Sequence, residues 1–341
     1  MNVSEFDYDL PSELIAQEPA RPRDSSRLLV LHRDTGAIEH RCFRDVVEYV
    51  GPRDVVVLND TRVIRARLRG RRVPGGGKTE VLLLEEVEEG VWEALVTPGR
   101  RVQPGRLIEF GDGELLADVV GRTPAGGRLL RFSGAEDLRA ALATLGEMPL
   151  PPYVHSPLRE EADYQTVYSR EPGAAAAPTA GLHFTPALLE AVRARAHALV
   201  YLTLHIGLST FRPMRAGRLE DHQMHSESYS IPEDTATIVT RAAAAGLRIL
   251  AVGTSTARAL EASALPGGGI RAGAARTDLF IRPGYRFRVL GALLTNFHMP
   301  RSTLLVMVSA FAGRDKILRA YREAIDQRYR FLSFGDAMLI L

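Results

Sequence analysis

The stretch APTAGLHFT, residues 177–185, sets Thr179, Gly181, His183, Phe184 and Thr185 side by side just ahead of an amphipathic segment. Glycine permits close backbone approach, and histidine exchanges protons near neutral pH. Four more histidines share this setting, in loops that end apolar runs. His205 lies in LHIGLSTF, and His222 and His225 lie with Glu227 in DHQMHSE. His298 follows Asn296 and Phe297 in TNFHMPRST. Seven of the nine histidines fall after residue 150, which suggests that they gather in one cleft. Three readings compete for them. His222 and His225 could ligate a metal, but no complete donor set with a recognised zinc spacing accompanies them. Any single histidine could be hydrogen-bonded structure. Together, His183, His205, His225, His298 and Glu227 suit general acid–base work, since His and Glu are the groups most easily tuned to neutral pH.

Other polar groups could hold a substrate. GTSTAR (253–258) sits where a strand should turn into a helix, and its hydroxyls and first amides could bind an anion or carboxylate; an ordinary capped helix start is the alternative. Phe184 and Phe297 could face a planar base or a cationic sulfur, or simply belong to the core. Arg62, Arg65, Arg67, Arg69, Arg71 and Arg72 form a basic run. Alternation along a strand would put Arg65, Arg67, Arg69 and Arg71 on one face, either to follow a nucleic-acid backbone or as a solvated surface.

The elements that must position these residues fall into two textures. A short helix is expected near PSELIAQ, a strand at 28–32, a helix at 43–50 and an interior strand at DVVVLND. After MPLPPY, helices and strands alternate again. Pro186 to about His197 reads as a helix capped by Thr185, LVYLTLHI as a core strand, and ATIVTRAAAAG as a helix closed by Gly246. RILAVG is a buried strand, TSTARALEAS the next helix, STLLVMVSAF a buried segment, RDKILRAYREAIDQRY a helix and DAMLIL a strand. This alternation predicts a layered α/β/α domain with a largely parallel sheet, made of residues 1–64 and 149–341. Between them, ARLRGRRV, TEVLLLEEV, VWEALV, RLIEF, LLADVVG and RLLRF are short segments broken by Gly and Pro, which predict an inserted antiparallel β-barrel over 65–148. PGGGK lacks the full phosphate-loop spacing and reads as a hairpin turn.

Composition narrows the classes. With 45% hydrophobic and 25% charged residues, the chain has ordinary globular proportions. No run nears the roughly 18–20 apolar residues needed to cross a bilayer, and the acidic start MNVSEFDYDL lacks a signal-peptide flank, so a cytoplasmic location is expected. The lone Cys42 makes no internal disulfide. Net charge is only +2, although 41 of the 43 basic residues are arginine, a residue suited to phosphate contacts.

Taken in order, the blocks FDYDLPSELIAQEPARPRDSSRLLVL, LNDTRVIRARL, MPLPPY, DYQTVY, PGAAAAPTAGLHFT, LHIGLSTFRP, HQMHSE, AVGTSTARALE, TDLFIRPGYRF, TNFHMPRSTLLVMVSAFAG and YRFLSFGDAMLI resemble the S-adenosylmethionine:tRNA ribosyltransferase-isomerase family of queuosine biosynthesis. The resemblance covers almost the whole chain. It implies an α/β domain bearing a β-barrel and a reaction in which S-adenosylmethionine is a substrate, with no bound cofactor. The ribosyl part is transferred to 7-aminomethyl-7-deazaguanine at the tRNA wobble position and isomerised, giving epoxyqueuosine-tRNA while adenine and methionine leave. A monomer with no stable protein partner and no membrane association is the accompanying expectation. Small departures occur: Ser209 where the family has glycine, Ala175 for valine, GTSTAR for GTTSVR, and no arginine shortly after PPY, a place Arg159 could fill.

The sulfonium acidifies the ribose C5′–H, so a base can begin the reaction, the amine must lose a proton, and adenine leaves more easily when protonated. The resemblance and this chemistry together nominate His183, His225 and Glu227 as base and acid, with His205 and His298 orienting or sharing protons. Thr179, Gly181, Phe184, Thr254, Ser255, Thr256, Arg258, Asn296 and Phe297 are the expected substrate contacts, Arg62, Arg65, Arg67 and Arg69 the expected tRNA contacts, and no metal site is expected. An S-adenosylmethionine-dependent RNA methyltransferase is the nearest rival. A metal-dependent hydrolase and a non-catalytic tRNA-binding module follow it.

Overall fold

A computed structural model describes residues 1–123, 126–207, 213, 214 and 216–341. The chain divides into two compact units: Met1–Thr61, Pro151–Glu171 and Ala177–Leu341 form the first, Arg62–Leu150 with Pro172–Ala176 the second.

The apolar runs of the first unit become strands of one sheet, nine strands wide among the described residues. From edge to edge it runs Gly273–Thr277, Glu227–Ile231, Ala198–Leu204, Asp54–Asn59, Arg248–Val252, Ala292–Asn296, Ala337–Ile340, Arg27–Leu31 and Ile38–Cys42. All six residues of DVVVLN are buried because a parallel neighbour lies on each side of that strand. With Ala292–Asn296 added parallel to Arg248–Val252, four central strands point the same way. Antiparallel pairings flank this centre, Glu227–Ile231 on one side and Ala337–Ile340 on the other. The carboxyl ends at Asn59, Leu204, Val252 and Asn296 therefore share one edge of the sheet, the edge where open α/β sheets bind ligands.

Helices cover the sheet. Thr185 Oγ1 accepts the Leu188 N–H at 3.2 Å and starts the helix Pro186–Arg195, as the proline and threonine predict. Its Leu188, Leu189 and Val192 join Phe43, Phe184, Val56, Leu250 and Leu294 in the core. STLLVMVSAF is the helix Thr303–Ala312, capped by Ser302 and buried along most of its length. The helices expected at PSELIAQ and 43–50 are instead 3₁₀ turns, Ser12–Leu14 and Phe43–Tyr49. Both are short, and adjacent Val46 and Val47 lose side-chain freedom in an α-helix, so a tight turn competes successfully.

Helix Thr254–Ala262 carries a buried clasp. Glu261 accepts from the backbone N–H groups of Arg288, Val289 and Leu290 at 2.8–3.0 Å and from the Tyr285 hydroxyl at 3.1 Å. Only an anion with several lone pairs satisfies four donors at once. Glu261→Gln should lower unfolding stability by about 3 kcal/mol or more, because the new amide points hydrogens at existing donors; urea unfolding measures this, and a loss below about 1 kcal/mol would dismiss the clasp.

In the second unit, the six short segments each become a strand: Arg67–Val73, Lys78–Glu88, Val91–Thr97, Leu107–Phe110, Leu115–Arg122 and Arg128–Ser133. They close into an antiparallel barrel. Alternate residues Leu68, Val81, Leu83, Ala94, Ile108, Leu115, Ala117, Val119 and Leu130 are buried, as a period of two requires. The helix Leu138–Leu145, capped by Asp137, has no counterpart in the sequence-based expectation.

Candidate active site

At the carboxyl edge of the parallel strands the first unit opens a cleft. Its wall includes Thr179, Glu227, Thr254, Ser255, Arg258, Asn296, Phe297 and His298. Sequence reasoning named all eight of these wall residues. Gly253 supplies the turn into helix Thr254–Ala262 at φ +94°, a conformation that disfavours any side chain. Gly253, Thr254 and Ser255 all line the cleft, so the start of the helix, with its unpaired first-turn amides, belongs to the wall. Asn59 stitches the edge together: its Oδ1 accepts from the Leu204 and Thr61 N–H groups, and its Nδ2 donates to Leu204 O at 2.9 Å and Ser255 Oγ at 3.1 Å.

Glu227 is the buried carboxylate of this wall, 6% exposed. Arg258 Nη2 donates to its Oε2 at 2.6 Å and Gly207 N–H to its Oε1 at 2.9 Å. Burial pushes the Glu227 carboxyl above its usual range, against the opposing pull of Arg258 and Gly207. Each oxygen retains a lone pair, so the group can still accept a proton.

The five histidines differ in environment. His298 reaches the wall, yet Thr295 Oγ1 lies 3.1 Å from its Nε2 and Tyr321 Oη 3.3 Å from its Nδ1, and burial lowers its pKa to about 3. It is neutral and held. His183 is absent from the wall: it lies behind Asn296, stacked on Phe43 at 4.7 Å, 5% exposed, with its pKa lowered to about 3 first by burial and then by Arg330 and Arg23. His205 ends its strand with Nδ1 2.8 Å from Thr61 Oγ1 and is not among the lining residues, while His225 is exposed. His222 packs edge-on against Phe280. Among the described residues, no group of three potential metal ligands gathers.

Several expected substrate contacts have structural work instead. Gly181 is buried because a Cβ there would lie 1.9 Å from the Tyr168 hydroxyl; close packing, and not backbone presentation to a ligand, explains this glycine. Phe184 is 1% exposed and meets Phe43 edge-on within the core, so it offers no ring face to the cleft. Thr256 is fully buried and donates to Val252 O at 2.6 Å, one turn back along the chain. Phe297 reaches the wall, but its ring is packed among Tyr321, Tyr329 and Phe331. Conversely, the sequence reading passed over Tyr153, Ser333 and Leu332. Tyr153 Oη lies 2.7 Å from Ser333 Oγ in the same wall. The quoted blocks MPLPPY and YRFLSFGDAMLI contained them, but no local rule marks them as a site.

In the second unit the arginine run is partly neutralised. Arg65 donates to Ala143 O, Arg67 to Leu150 O, and Arg69 forms a fork with Glu147 through Nε at 2.9 Å and Nη2 at 3.2 Å. Arg62 is exposed. The continuous cationic face expected from alternation is therefore interrupted by internal acceptors. Arg159 pairs with Glu18 at 2.7 Å, Ala175 is buried, and Ser209 lies outside the described residues.

A cleft at the carboxyl edge of a parallel sheet, with a buried carboxylate–guanidinium pair in its wall, in a chain that also carries a closed β-barrel unit, marks an α/β protein whose cleft can take a small molecule. The chain belongs to the queuosine biosynthesis protein family, whose pattern matches residues 3–340. It is similar, at 55% identity over 341 residues and the full length of both chains, to the S-adenosylmethionine:tRNA ribosyltransferase-isomerase of Symbiobacterium thermophilum. That of Moorella thermoacetica is likewise 55% identical, over 342 residues and again all of both chains. The crystal structure of the S-adenosylmethionine tRNA ribosyltransferase from Thermotoga maritima matches 99% of this chain and 100% of its own, at 42% identity and a TM-score of 0.58. No helix among the described residues is long and apolar enough to cross a membrane.

Proposed function

We infer that the chain is a transferase-isomerase that moves the ribosyl part of S-adenosylmethionine onto 7-aminomethyl-7-deazaguanine in the tRNA wobble position, releasing adenine and methionine. Full-length similarity to relatives bearing that activity in their names supports the reaction. The observation that carries the reading to particular atoms is Glu227, a buried carboxylate in the wall of the sheet-edge cleft.

The positive sulfur acidifies the adjoining C5′–H, and in this reading Glu227 is the base that removes that proton. A negative carboxylate also favours a sulfonium in the same enclosed space. Arg258 keeps Glu227 oriented. Thr254, Ser255 and the first amides of their helix suit the methionine carboxylate, by charge and by hydrogen bonding. His298, held neutral by Thr295 and Tyr321, shapes the wall and offers no spare charge. Exposed Arg62, together with Arg69 when it leaves Glu147, supplies contacts to the RNA backbone.

Purified protein incubated with S-adenosylmethionine and deazaguanine-modified tRNA should yield free adenine, free methionine and ribosylated tRNA. Formation of S-adenosylhomocysteine in their place would identify a methyltransferase and overturn the reading. Activity resistant to chelators is expected, and its abolition by chelation with recovery on metal addition would favour the hydrolase alternative.

A further inference from the structure

His183, Asn296, Thr179 and Ser26 form a buried hydrogen-bond chain whose direction can be deduced from one carbonyl. Asn296 Nδ2 lies 3.3 Å from Leu332 O, a group that only accepts. The amide nitrogen must therefore face Leu332, which leaves Oδ1 facing Thr179. The second Nδ2 hydrogen points at His183 Nε2, 3.1 Å away, so Nε2 accepts and carries no proton. A neutral ring then has its hydrogen on Nδ1, where Ser26 Oγ waits at 2.7 Å. At the other end, Asn296 Oδ1 can be satisfied by the Thr179 hydroxyl, 2.9 Å away, only if the hydroxyl donates.

We propose that His183 is a positioning residue that locks the Asn296 amide, and that the lock makes the Thr179 hydroxyl an acceptor for a hydrogen-bond donor of S-adenosylmethionine. Thr179 lines the cleft, its proton is committed to Asn296, and only lone pairs are left for a ligand. The inference rests on the substrate assigned above and adds how one of its donor groups is recognised. Leu332 takes part at a cost: it holds φ +70°, in the left-handed region unfavourable to a branched side chain, with its N–H on Phe297 O at 3.2 Å. Backbone strain at a cleft residue fits a carbonyl aimed to orient Asn296.

Protonation would break the chain. Nε2–H would then face the Nδ2 hydrogens, two donors head to head, and turning the amide over would press Oδ1 against Leu332 O. Enclosure against Phe43 keeps the ring neutral at working pH, so His183 serves through its acceptor nitrogen and not by exchanging protons.

The test uses the full chain and four variants, each checked for folding by its melting transition. Affinity for S-adenosylmethionine is read by calorimetry without tRNA, and kcat, KM and the pH profile are read from adenine release. In His183→Gln the side-chain carbonyl can stand in for Nε2, so kcat/KM should stay within about tenfold of the parent with an unchanged pH profile. His183→Leu leaves the Asn296 hydrogen unpaired and should lose about a hundredfold, mainly through weaker S-adenosylmethionine binding. Thr179→Ser should bind within about threefold of the parent, and Thr179→Val about tenfold more weakly. A folded His183→Gln as inactive as His183→Leu, with the acidic limb of the profile gone, would make His183 a proton carrier and overturn the positioning role. Unchanged affinity in Thr179→Val would overturn the acceptor role. Should His183→Leu fail to fold, the glutamine variant and the threonine pair still decide. If the parent itself releases no adenine, the assigned reaction is what fails; if it turns over while Thr179→Val binds normally, only this inference fails.

Discussion

Glutamine in place of Glu227 should lower the rate of adenine release by about 10²–10⁴-fold, the range expected when a general base is removed. The substitution is nearly isosteric and can still accept the Gly207 N–H, so the cleft should keep its shape. It cannot take a proton from C5′, however, and its amide would confront Arg258 Nη2, which now donates to Glu227 Oε2 at 2.6 Å. S-adenosylmethionine affinity measured in parallel separates loss of chemistry from loss of binding. The pH dependence has a definite sign. A base works only when deprotonated, so kcat/KM should fall as pH drops through the Glu227 pKa. Because burial raises that pKa, the fall should occur above the range of an ordinary glutamate, and the limb should vanish in Glu227→Gln. A variant that retains more than about a tenth of parental turnover would remove Glu227 from the proton step.

The second large effect is on stability in acid. His183 and His298 are buried, and burial lowers both pKa values from 6.5 to about 3. Between those values the unfolded chain takes up protons that the folded chain refuses. Stability is therefore fully present above pH 6.5 and is lost as pH falls toward 3, by about 1.4 kcal/mol per pH unit for each histidine. Two pH units below 6.5 the pair amounts to roughly 5 kcal/mol, comparable with the net stability of many domains. Asp60, Asp336 and Glu227 act in the opposite direction, since burial raises their pKa values and their protonation in the folded state offsets part of the loss. For that reason the comparison with His183→Gln is the sharper measurement. Urea unfolding between pH 7 and 4.5 should show a slope against pH smaller by about 1.4 kcal/mol per unit in the variant. Identical slopes would mean that His183 is not held neutral.

Which parts of this protein can be read from residues in order follows from the range of the forces involved. Period-two alternation and Gly/Pro punctuation depend on neighbours a few positions apart, and all six barrel segments were legible for that reason. Thr185 followed by Pro186 is equally local, and the helix begins there. Strands such as Glu227–Ile231 and Gly273–Thr277 were missed because ESYSI and GAART have little apolar signal; they exist as antiparallel additions to the edge of an already formed sheet.

The site shows the same division. Chain order and residue type were enough to gather Glu227, Asn296, Thr179, Arg258 and His298 as one group, since ligands bind where parallel strands end. Order could not distinguish a histidine in the wall from one behind it. His183 closes the 3₁₀ turn Thr179–His183, two residues after a glycine in a stretch expected to face the cleft, and it is enclosed by Ser26 and Asn296, 157 and 113 residues away. Phe184 and Gly181 likewise owe their roles to Phe43 and Tyr168. The amino-acid sequence alone determined the kinds of chemistry present and the local elements that carry them. Tertiary structure alone decided which groups are charged, which way each hydrogen bond runs and which atoms meet the cleft, because desolvation and hydrogen-bond pairing depend on everything that surrounds an atom in space.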